Sequence, residues 1–359
     1  MTLELRSVTK NVGAEMHIYE TSLSFEPGGF NILLGATNSG KSTLIKLMAG
    51  LERPTSGEVW VDGENVTGVS PQKRNIALVH QFFINYPHMS VYENIASPLR
   101  ANRMDRGEVD LRVREAADVL QLGPMLDRRP QELSGGQQQR TALARAIVKD
   151  SKAIFLDEPL ANLDYKLREE LREQLPEILG ERGTVVVYAT SEPTEALLLG
   201  GHTALLHEGR VSQFGPTPKI YRAPANLVSA RVFSDPPMNL APVKKQGNAI
   251  HLGNLHWPAT GAAEGLRDGV YTVGIRPHHV TPHAANGASV LLNGEIQITE
   301  LSGSESVAHF SLGESTWVSL SAGAHPYEVG QSQEFFFYAD HCYYFDEDGS
   351  LAATGALNG

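Results

Sequence analysis

A glycine-rich turn between an apolar run and a helix constrains the fold more than any other feature of this chain. The turn reads Gly-Ala-Thr-Asn-Ser-Gly-Lys-Ser over residues 35–42 and follows the run 31–34. In this pattern backbone N–H groups surround phosphate oxygens, the lysine reaches the β- and γ-phosphates, and the serine hydroxyl binds Mg²⁺. The turn therefore predicts a phosphate loop in a nucleotide-binding α/β domain. Its predicted contact residues are Gly35, Ala36, Thr37, Asn38, Ser39, Gly40, Lys41, Ser42 and Thr43.

Two later segments predict a metal-binding carboxylate and a second phosphate site. Residues 154–158 form an apolar run that ends in two carboxylates, so Asp157 can bind a metal ion while Glu158 orients a water. Residues 133–137 open a helix, whose first N–H groups attract an anion. Alone, this second segment fits an ordinary capped helix, but beside an intact phosphate loop it predicts a phosphate site. Its binding residues are Ser134, Gly135, Gly136 and Gln137.

Composition restricts the classes of partner. The 41 acidic residues outnumber the 30 basic ones and give a formal net charge of −11, which argues against nucleic acid as a partner. No apolar run approaches the roughly 20 residues that span a membrane, so a soluble or peripheral chain is expected. The single cysteine, Cys342, favours a reducing compartment and a buried structural role. His278, His279 and His283 lack nearby carboxylates or thiols at ligand spacing and are interpreted as exposed loop residues.

The sequence pattern changes near residue 235, which predicts two domains. Over residues 1–235, short apolar runs followed by helices are typical of a parallel sheet buried on both faces. Residues 82–148 are more helical and charged, and are interpreted as an inserted helical subdomain. Over residues 236–359, alternating segments such as 271–275 and 295–298 predict a small β-barrel.

Together these motifs resemble the nucleotide-binding subunit of an ATP-binding cassette (ABC) transporter. Residues 35–42 match the family's Walker A loop, 154–158 its Walker B strand and 133–137 its signature, while Gln81 matches the Q-loop glutamine. The resemblance implies a P-loop NTPase cassette with a RecA-like core, followed by an oligonucleotide-binding-like (TOBE-type) regulatory domain. Four tail segments resemble the carbohydrate-importer branch, typified by the maltose and glycerol-phosphate importers, and they lie at residues 214–218, 221–226, 236–239 and 274–277.

The resemblance also implies a role for each matching residue at a site for ATP and Mg²⁺. Lys41 would neutralise the β- and γ-phosphate oxygens. Ser42 and Asp157, together with Gln81, would hold Mg²⁺, and Glu158 would polarise the attacking water. Catalysis of this kind depends on positioning and electrostatics.

Partners follow from the same resemblance. Two cassettes would close head to tail around two ATP molecules, so that Ser134 and Gly136 clamp an ATP held mainly by the second ATP-binding subunit. Gln81 would report the γ-phosphate to two membrane-embedded permease subunits, which receive solute from an external binding protein. The chain would therefore be a peripheral protein on the cytoplasmic face of the inner membrane.

Three residues depart from the family pattern. Ser191 replaces the switch histidine, and loss of such a group is expected to lower turnover on the order of 10²-fold. Val12 replaces an aromatic residue that stacks on adenine, a contact worth roughly 1–3 kcal/mol, and Tyr19 is the nearest ring in the sequence. Ala161 replaces the serine that begins the dimer-contacting loop, although Asp164 of that loop is kept.

These departures weaken the site on this chain's own phosphate loop and spare residues 133–137. The resulting hypothesis is a heterodimer with a second, unlike ATPase, in which the partner's ATP is hydrolysed quickly and this chain's ATP slowly. An ordinary homodimer that tolerates Ser191 is one alternative. Another is a nearly inactive regulatory subunit that binds ATP to drive closure, against which the intact Glu158 argues.

An importer ATPase is favoured over a cassette of DNA repair or translation. Proteins of the latter class usually carry two cassettes or long coiled coils, and this chain has one cassette and no heptad repeats. The solute is a small polyol or carbohydrate by resemblance. Paired unlike ATPases and residues 83–87 resemble the glycerol importers, which favours glycerol.

Overall fold

The computed structural model describes residues 2–161, 163–180, 183–284 and 289–356. Asn162, in the predicted dimer-contacting loop, lies outside the described residues. The chain divides into two compact units, Met1–Thr217 and Pro218–Gly359. This division comes earlier than the boundary predicted after residue 235.

The first unit is a mixed α/β structure. Its strands are β1 (Leu3–Val12), β2 (Glu15–Phe25), β3 (Phe30–Leu34), β4 (Ser56–Val61), β5 (Glu64–Asn65), β6 (Ile76–Val79), β7 (Ala153–Asp157), β8 (Val185–Thr190), β9 (His202–His207) and β10 (Arg210–Pro216). Its helices are α1 (Lys41–Ala49), α2 (Val91–Ala101), α3 (Arg106–Val119), α4 (Gly135–Ile147), α5 (Tyr165–Gly180) and α6 (Pro193–Leu199).

The second unit is mainly β. Two short helices precede its strands, α7 (Thr217–Arg222) and α8 (Leu227–Val232). The strands are β11 (Asn239–Gln246), β12 (Ala249–Leu252), β13 (Leu255–Pro258), β14 (Gly269–Ile275), β15 (Val290–Ser302), β16 (Glu305–Leu312), β17 (Ser315–Ala322), β18 (Ser332–Phe337), β19 (Tyr343–Phe345) and β20 (Leu351–Thr354).

A six-stranded sheet in the first unit brings the predicted motifs together. Its strand order is β10-β9-β3-β8-β7-β6, in which β10 is antiparallel to β9 and the other pairs are parallel. Every residue of β3, β7 and β8 is buried, which confirms the prediction of parallel strands covered on both faces. Because these strands end at one edge, the phosphate loop, Glu158 and Ser191 follow them at the same side of the sheet.

A second, antiparallel sheet has the order β2-β1-β4-β5 and was not predicted from the sequence. Burial alternates only in part along β1 and β2, so the period of two is weak in the sequence. Leu5 and Phe25 of this sheet share a core with Leu44 and Leu47 of α1 and with Phe155 of β7. The helix that follows the phosphate loop is therefore packed into the core of this unit.

Helices α2, α3 and α4 occupy most of the predicted helical segment 82–148. Helix α3 begins at Arg106, because Asp105 caps its start by accepting a hydrogen bond from the N–H of Gly107 at 2.8 Å. Its buried residues Val109, Val113, Ala116 and Ala117 recur at helical spacing.

Arg74 ties the C-terminal end of α1 to the antiparallel sheet. Its buried guanidinium donates to the carbonyls of Met48 at 2.6 Å, Val66 at 2.7 Å and Val69 at 2.9 Å. We expect Arg74→Ala to lower the free energy of unfolding by about 3 kcal/mol, because it removes three buried hydrogen bonds from a charged donor. Urea unfolding of the variant and of the exposed control Lys73→Ala tests this; an equal, small loss in both would contradict it.

The second unit contains two antiparallel sheets, with strand orders β13-β12-β11-β14-β19-β20 and β17-β16-β15-β18. Their buried aromatic residues form one core that includes Trp257, Trp317, Phe310 and Phe335. The all-β character predicted for the tail is thus confirmed. The thiol of Cys342 is fully buried in this core, and burial raises its pKa to about 12.

Arg276 explains why the second unit begins before residue 235. Its buried guanidinium donates to the carbonyls of Tyr221 at 2.6 Å and Phe233 at 2.7 Å, and lies 3.8 Å from the ring centroid of Tyr221. Ala230 of α8 also packs with Met238. The segment is helical, so the change in sequence pattern appears only after it.

Three histidines of the second unit lie together. His279 stacks on His341 with ring centroids 3.8 Å apart, and His278 contacts His279 at 4.3 Å. His278 and His283 are exposed as predicted, but His279 is half-buried, so that part of the prediction was wrong. The partner that buries it, His341, is distant in the sequence.

Acid is expected to destabilise the second unit through these rings. Burial lowers the pKa of His279 to about 3 and also lowers the pKa of His341, from an ordinary value of 6.5. Below pH 6.5 the unfolded chain therefore binds more protons than the folded chain, and stability falls as the pH drops. Melting temperatures at about pH 7.5 and about pH 4.5 test this, with a smaller acid shift expected for His279→Phe than for the exposed control His256→Phe. Equal shifts in the two variants would contradict it.

Candidate functional site

The phosphate loop forms the turn between β3 and α1. Gly40 has a φ of 107°, and a Cβ there would lie 2.7 Å from Cδ1 of Ile18, so glycine is required. Asn38 also adopts a left-handed φ of 65°. Among the described side chains, none caps the N-terminus of α1. The first N–H groups of this helix are therefore open to a phosphate.

Lys41 lies beneath the loop. Its side chain is 4% exposed, and Nζ donates to the carbonyls of Gly35 at 2.7 Å and Ala36 at 3.0 Å. Nζ also lies 3.5 Å from Oε1 of Glu158. Burial lowers the pKa of Lys41, and the negative charge of Glu158 opposes that shift. An ammonium group held in this position can neutralise phosphate oxygens.

Ser42 and Asp157 form a pair of oxygen ligands suited to Mg²⁺. The Ser42 hydroxyl donates to Oδ1 of Asp157 at 3.0 Å. Burial raises the pKa of Asp157, and the hydrogen bond from Ser42 opposes this shift. Hydroxyl and carboxylate oxygens are the ligand types that Mg²⁺ prefers. The residues present therefore fit the ion.

Glu158 and Gln81 meet at the mouth of the site. Nε2 of Gln81 donates to Oε2 of Glu158 at 3.3 Å. Glu158 has a φ of 48°, and its N–H donates to the carbonyl of Ala189 in β8 at 3.0 Å. The left-handed φ of Glu158 turns the chain directly after Asp157, the last residue of β7. Asp157 therefore contacts Ser42, while Glu158 contacts Lys41 and Gln81.

A cavity of about 550 Å³ opens beside the phosphate loop. Eight of the predicted site residues line it: Thr37, Asn38, Gly40, Lys41, Ser42, Thr43, Gln81 and Glu158. The remaining wall consists of Met16, His17, Tyr19, Glu208 and Gly209. Behind the loop, the buried hydroxyl of Ser39 has no hydrogen-bond partner among the described residues.

Val12 does not belong to the lining of this cavity. It is the last residue of β1, is 49% exposed and pairs with Glu15 across the hairpin. Met16, His17 and Tyr19 of the following strand face the cavity instead. The position of Tyr19 could not be predicted from the sequence, because the hairpin register decides which side chains face the loop.

The signature segment begins α4 and is capped by its own side chains. The Ser134 hydroxyl accepts from the N–H of Gln137 at 3.3 Å, and the Gln137 side chain accepts from the N–H of Ser134 at 3.0 Å. This reciprocal pair is a capping box, with Ser134 as the N-cap residue of α4. Residues 134–137 do not line the cavity beside the phosphate loop. Within the described part of the chain, the two predicted phosphate sites are thus separate.

Ser191 follows β8 directly and is exposed. The carbonyl of Thr190 accepts from the N–H of Gly35 at 3.3 Å, so β8 ends beside the phosphate loop. Ser191 itself is outside the cavity lining. A serine side chain is shorter than an imidazole, which is consistent with its not reaching the cavity.

A buried ionic network lies beneath Ser191 and was missed by the sequence analysis. Glu195 accepts from the hydroxyls of Thr190 at 2.6 Å and Tyr188 at 2.9 Å, and from Arg172 at 3.3 Å. Arg172 also lies 3.2 Å from Glu192. The network fixes the end of β8 against α5. No spacing pattern in the sequence links Arg172 to Glu195, so only the fold reveals it.

The predicted dimer-contacting loop is fixed at both ends. Asp164 accepts from the N–H of Leu167 at 3.1 Å and so caps the start of α5. The carbonyl of Ala161 accepts from Arg168 at 3.1 Å. Asp164 therefore has a structural role in this chain, whatever it contacts in an assembly.

The Gln81 segment is tied to the signature helix. Asn85 donates to the carbonyl of Gln138 at 2.8 Å, and Arg145 of α4 donates to the carbonyl of Ile84 and lies 5.0 Å from the ring centroid of Tyr86. These contacts join the residues after Gln81 to the helix that Ser134 begins. These contacts were not predicted from the sequence, because nothing in the sequence around Arg145 distinguishes it from other polar residues on the face of a helix.

Together, the loop, its lysine, the serine and aspartate pair and the following glutamate define a P-loop ATPase domain. A family described as "ABC transporter" matches residues 18–161, and one described as "TOBE domain" matches residues 273–345. A dimeric ATP-binding cassette bound to ADP and Pi has a similar fold, with a TM-score of 0.56 and 29% identity; the match covers 60% of this chain and 98% of that one.

Curated relatives extend the likeness over nearly the whole chain. An sn-glycerol-3-phosphate import ATP-binding protein of Rhizobium etli is 38% identical over 87% of each chain. Its counterpart in Cupriavidus pinatubonensis is 35% identical over 96% of this chain and 97% of its own. A xylose/arabinose import ATP-binding protein of Haloferax volcanii is 36% identical over 92% of this chain and 88% of its own.

The chain therefore belongs to the ATP-binding subunits of ABC transporters, in the carbohydrate and glycerol-phosphate importer branch. This confirms the resemblance found in the sequence, together with ATP and Mg²⁺ as cofactors and ATP hydrolysis as the family's reaction. Across the described residues, no helix combines the length and the apolar character needed to cross a membrane.

Proposed function

We propose that this chain hydrolyses ATP to power an importer of a small polyol or carbohydrate, with glycerol favoured. The meeting of Lys41, Ser42, Asp157 and Glu158 beside one cavity carries the catalytic part of this proposal. The transport part is supported by relatives that are named for import of sn-glycerol-3-phosphate and of xylose or arabinose.

Each residue of the site has a role in this proposal. Lys41 neutralises charge on the β- and γ-phosphates, and the oxygens of Ser42 and Asp157 hold Mg²⁺, which supplies further positive charge when bound. Glu158 accepts a hydrogen bond from the attacking water and orients it. Gln81, bonded to Glu158 at 3.3 Å, passes the state of the site to the segment that follows it.

Permease subunits are the proposed membrane partners, and their contact is the segment after Gln81. Phe82 is 79% exposed and Ile84 is 62% exposed, an unusual cluster of large apolar side chains on a surface. Arg145 and Asn85 hold this segment on the signature helix. The chain would thus sit on the cytoplasmic face of the membrane, next to permeases supplied by an external solute-binding protein.

The proposed assembly contains a second, unlike ATPase subunit. Ser191 lies outside the cavity and cannot replace an imidazole there, whereas Ser134 and Gln137 form an intact, well-capped helix start. This chain would hydrolyse its own ATP slowly and would complete the partner's site in full. A homodimer and a near-inactive regulatory subunit are the alternatives.

Composition of the purified assembly tests this arrangement. Intact-mass measurement of a complex captured through a tag on the permease should reveal this chain and one different ATP-binding subunit in equal amounts. Two copies of this chain and no other ATPase would contradict the heterodimer.

Transport of radiolabelled glycerol by the same complex in vesicles, compared with transport of xylose and of glycerol phosphate, tests which solute is imported.

A further inference from the structure

The cavity beside the phosphate loop extends from the phosphate site towards β2. Its far wall includes Met16, His17 and Tyr19, and Val12 takes no part in it. Together with Glu208 and Gly209, this wall is the part of the cavity lining that lies outside the predicted phosphate-site residues, so the nucleoside of a nucleotide bound at the loop can lie against it. The wall carries two aromatic rings, those of His17 and Tyr19.

His17 and Tyr19 share one face of β2. Side chains at i and i+2 point to the same side of a strand, and Ile18 between them is fully buried on the other side. The His17 side chain is 40% exposed, so its ring is accessible. The guanidinium of Arg210 lies 3.4 Å from the ring centroid of Tyr19, which covers one face of that ring and holds it in place.

Gly209 fixes β2 at a set distance from the phosphate loop. Its N–H donates to the carbonyl of Ser39 at 2.9 Å, and its own carbonyl accepts from the N–H of Tyr19 at 2.9 Å. Gly209 has a φ of 74°, and a Cβ there would lie 2.4 Å from the carbonyl oxygen of His17. One glycine thus connects the loop that holds phosphate to the strand that carries both rings.

We infer that the base of the bound nucleotide is held by His17 and Tyr19 of β2 and not by residue 12. Flat aromatic rings offer stacking surfaces to a base, and the exposed end of the hairpin at Val12 does not. The inference rests on the proposed binding of ATP at the phosphate loop. Beyond that proposal, the inference names the residues that hold the base. They lie on a strand that Gly209 connects to the phosphate loop by two hydrogen bonds.

Binding of ATP and of inorganic tripolyphosphate to the full-length chain tests this inference. Tripolyphosphate contains the phosphate chain without a base. His17→Ala and Tyr19→Leu should each weaken ATP binding about tenfold and leave tripolyphosphate binding unchanged. His17→Trp should keep the affinity for ATP, because it retains a ring. Glu20→Ala, an exposed change on the same strand, is the matched control and should change neither ligand.

The results that would overturn the inference can be distinguished from one another. If Val12→Ala weakens ATP binding and the variants at residues 17 and 19 do not, the inference is overturned. Equal weakening of tripolyphosphate and ATP by His17→Ala would also overturn it, since the effect would then act through the phosphate loop. Failure of the unaltered chain to bind ATP would overturn the proposed function together with the inference.

Discussion

Replacement of Glu158 by glutamine is expected to lower phosphate release by the purified chain about 10²-fold. Glutamine has the same shape but carries no charge and is a poor proton acceptor, so it cannot polarise the attacking water as a carboxylate does. The position of Glu158, 3.5 Å from Lys41 Nζ and 3.3 Å from Gln81, places this carboxylate at the mouth of the site. ATP affinity should stay within a few-fold, because Lys41 and Ser42 remain.

Single-turnover phosphate release measures this effect separately from ATP binding. Glu173→Gln is the matched control, because this exposed glutamate of α5 does not line the cavity beside the phosphate loop. Equal rates in Glu158→Gln and the unaltered chain would contradict the catalytic role. That result would favour the regulatory alternative, in which the subunit binds ATP without hydrolysing it.

Introduction of histidine at position 191 is expected to raise the turnover of the same purified chain on the order of 10²-fold. β8 ends beside the phosphate loop, where the carbonyl of Thr190 accepts from the N–H of Gly35 at 3.3 Å. An imidazole here is longer than the serine side chain and can donate a hydrogen bond to the γ-phosphate region. The network around Glu195 holds the strand end in place, so little reorganisation is needed.

Steady-state ATPase rates of Ser191→His, Ser191→Ala and the unaltered chain test this expectation. Ser191→Ala should change the rate little, because Ser191 lies outside the lining of the cavity. No gain for Ser191→His, combined with a large loss for Ser191→Ala, would mean that the serine itself is an effective catalytic group. The site on this chain would then not be impaired, and the case for an unlike partner would weaken.

The sequence predicted those parts of the fold whose signals are local. Residues 31–34 and 153–156 are short, apolar apart from Asn31, and followed by glycine or carboxylates, and both are buried parallel strands. Residues 133–137 predicted the start of a helix, and α4 begins there with Ser134 as its N-cap residue. In each case one short segment contains both the pattern and its physical cause.

Features that depend on distant residues were not predictable. The guanidinium of Arg276 donates to the carbonyls of residues 221 and 233, which ties the two helices that precede β11 to the second unit. His279 is covered by His341 from a different part of the same unit. The wall of His17 and Tyr19 likewise depends on the contact between Gly209 and β2. None of these contacts can be predicted from a periodic pattern within one segment of the sequence.

The central claim is that this chain's own ATP site is the weak one and that its signature helix serves a stronger site. Two variants of this chain, each within the purified transporter assembly, separate the two roles when steady-state ATPase is measured. Glu158→Gln should retain more than about half of the activity, while Gly136→Asp, which places a carboxylate at the helix start, should lose about 10²-fold. An equally severe loss for Glu158→Gln would contradict the account, because it would show that this chain's own site carries the turnover.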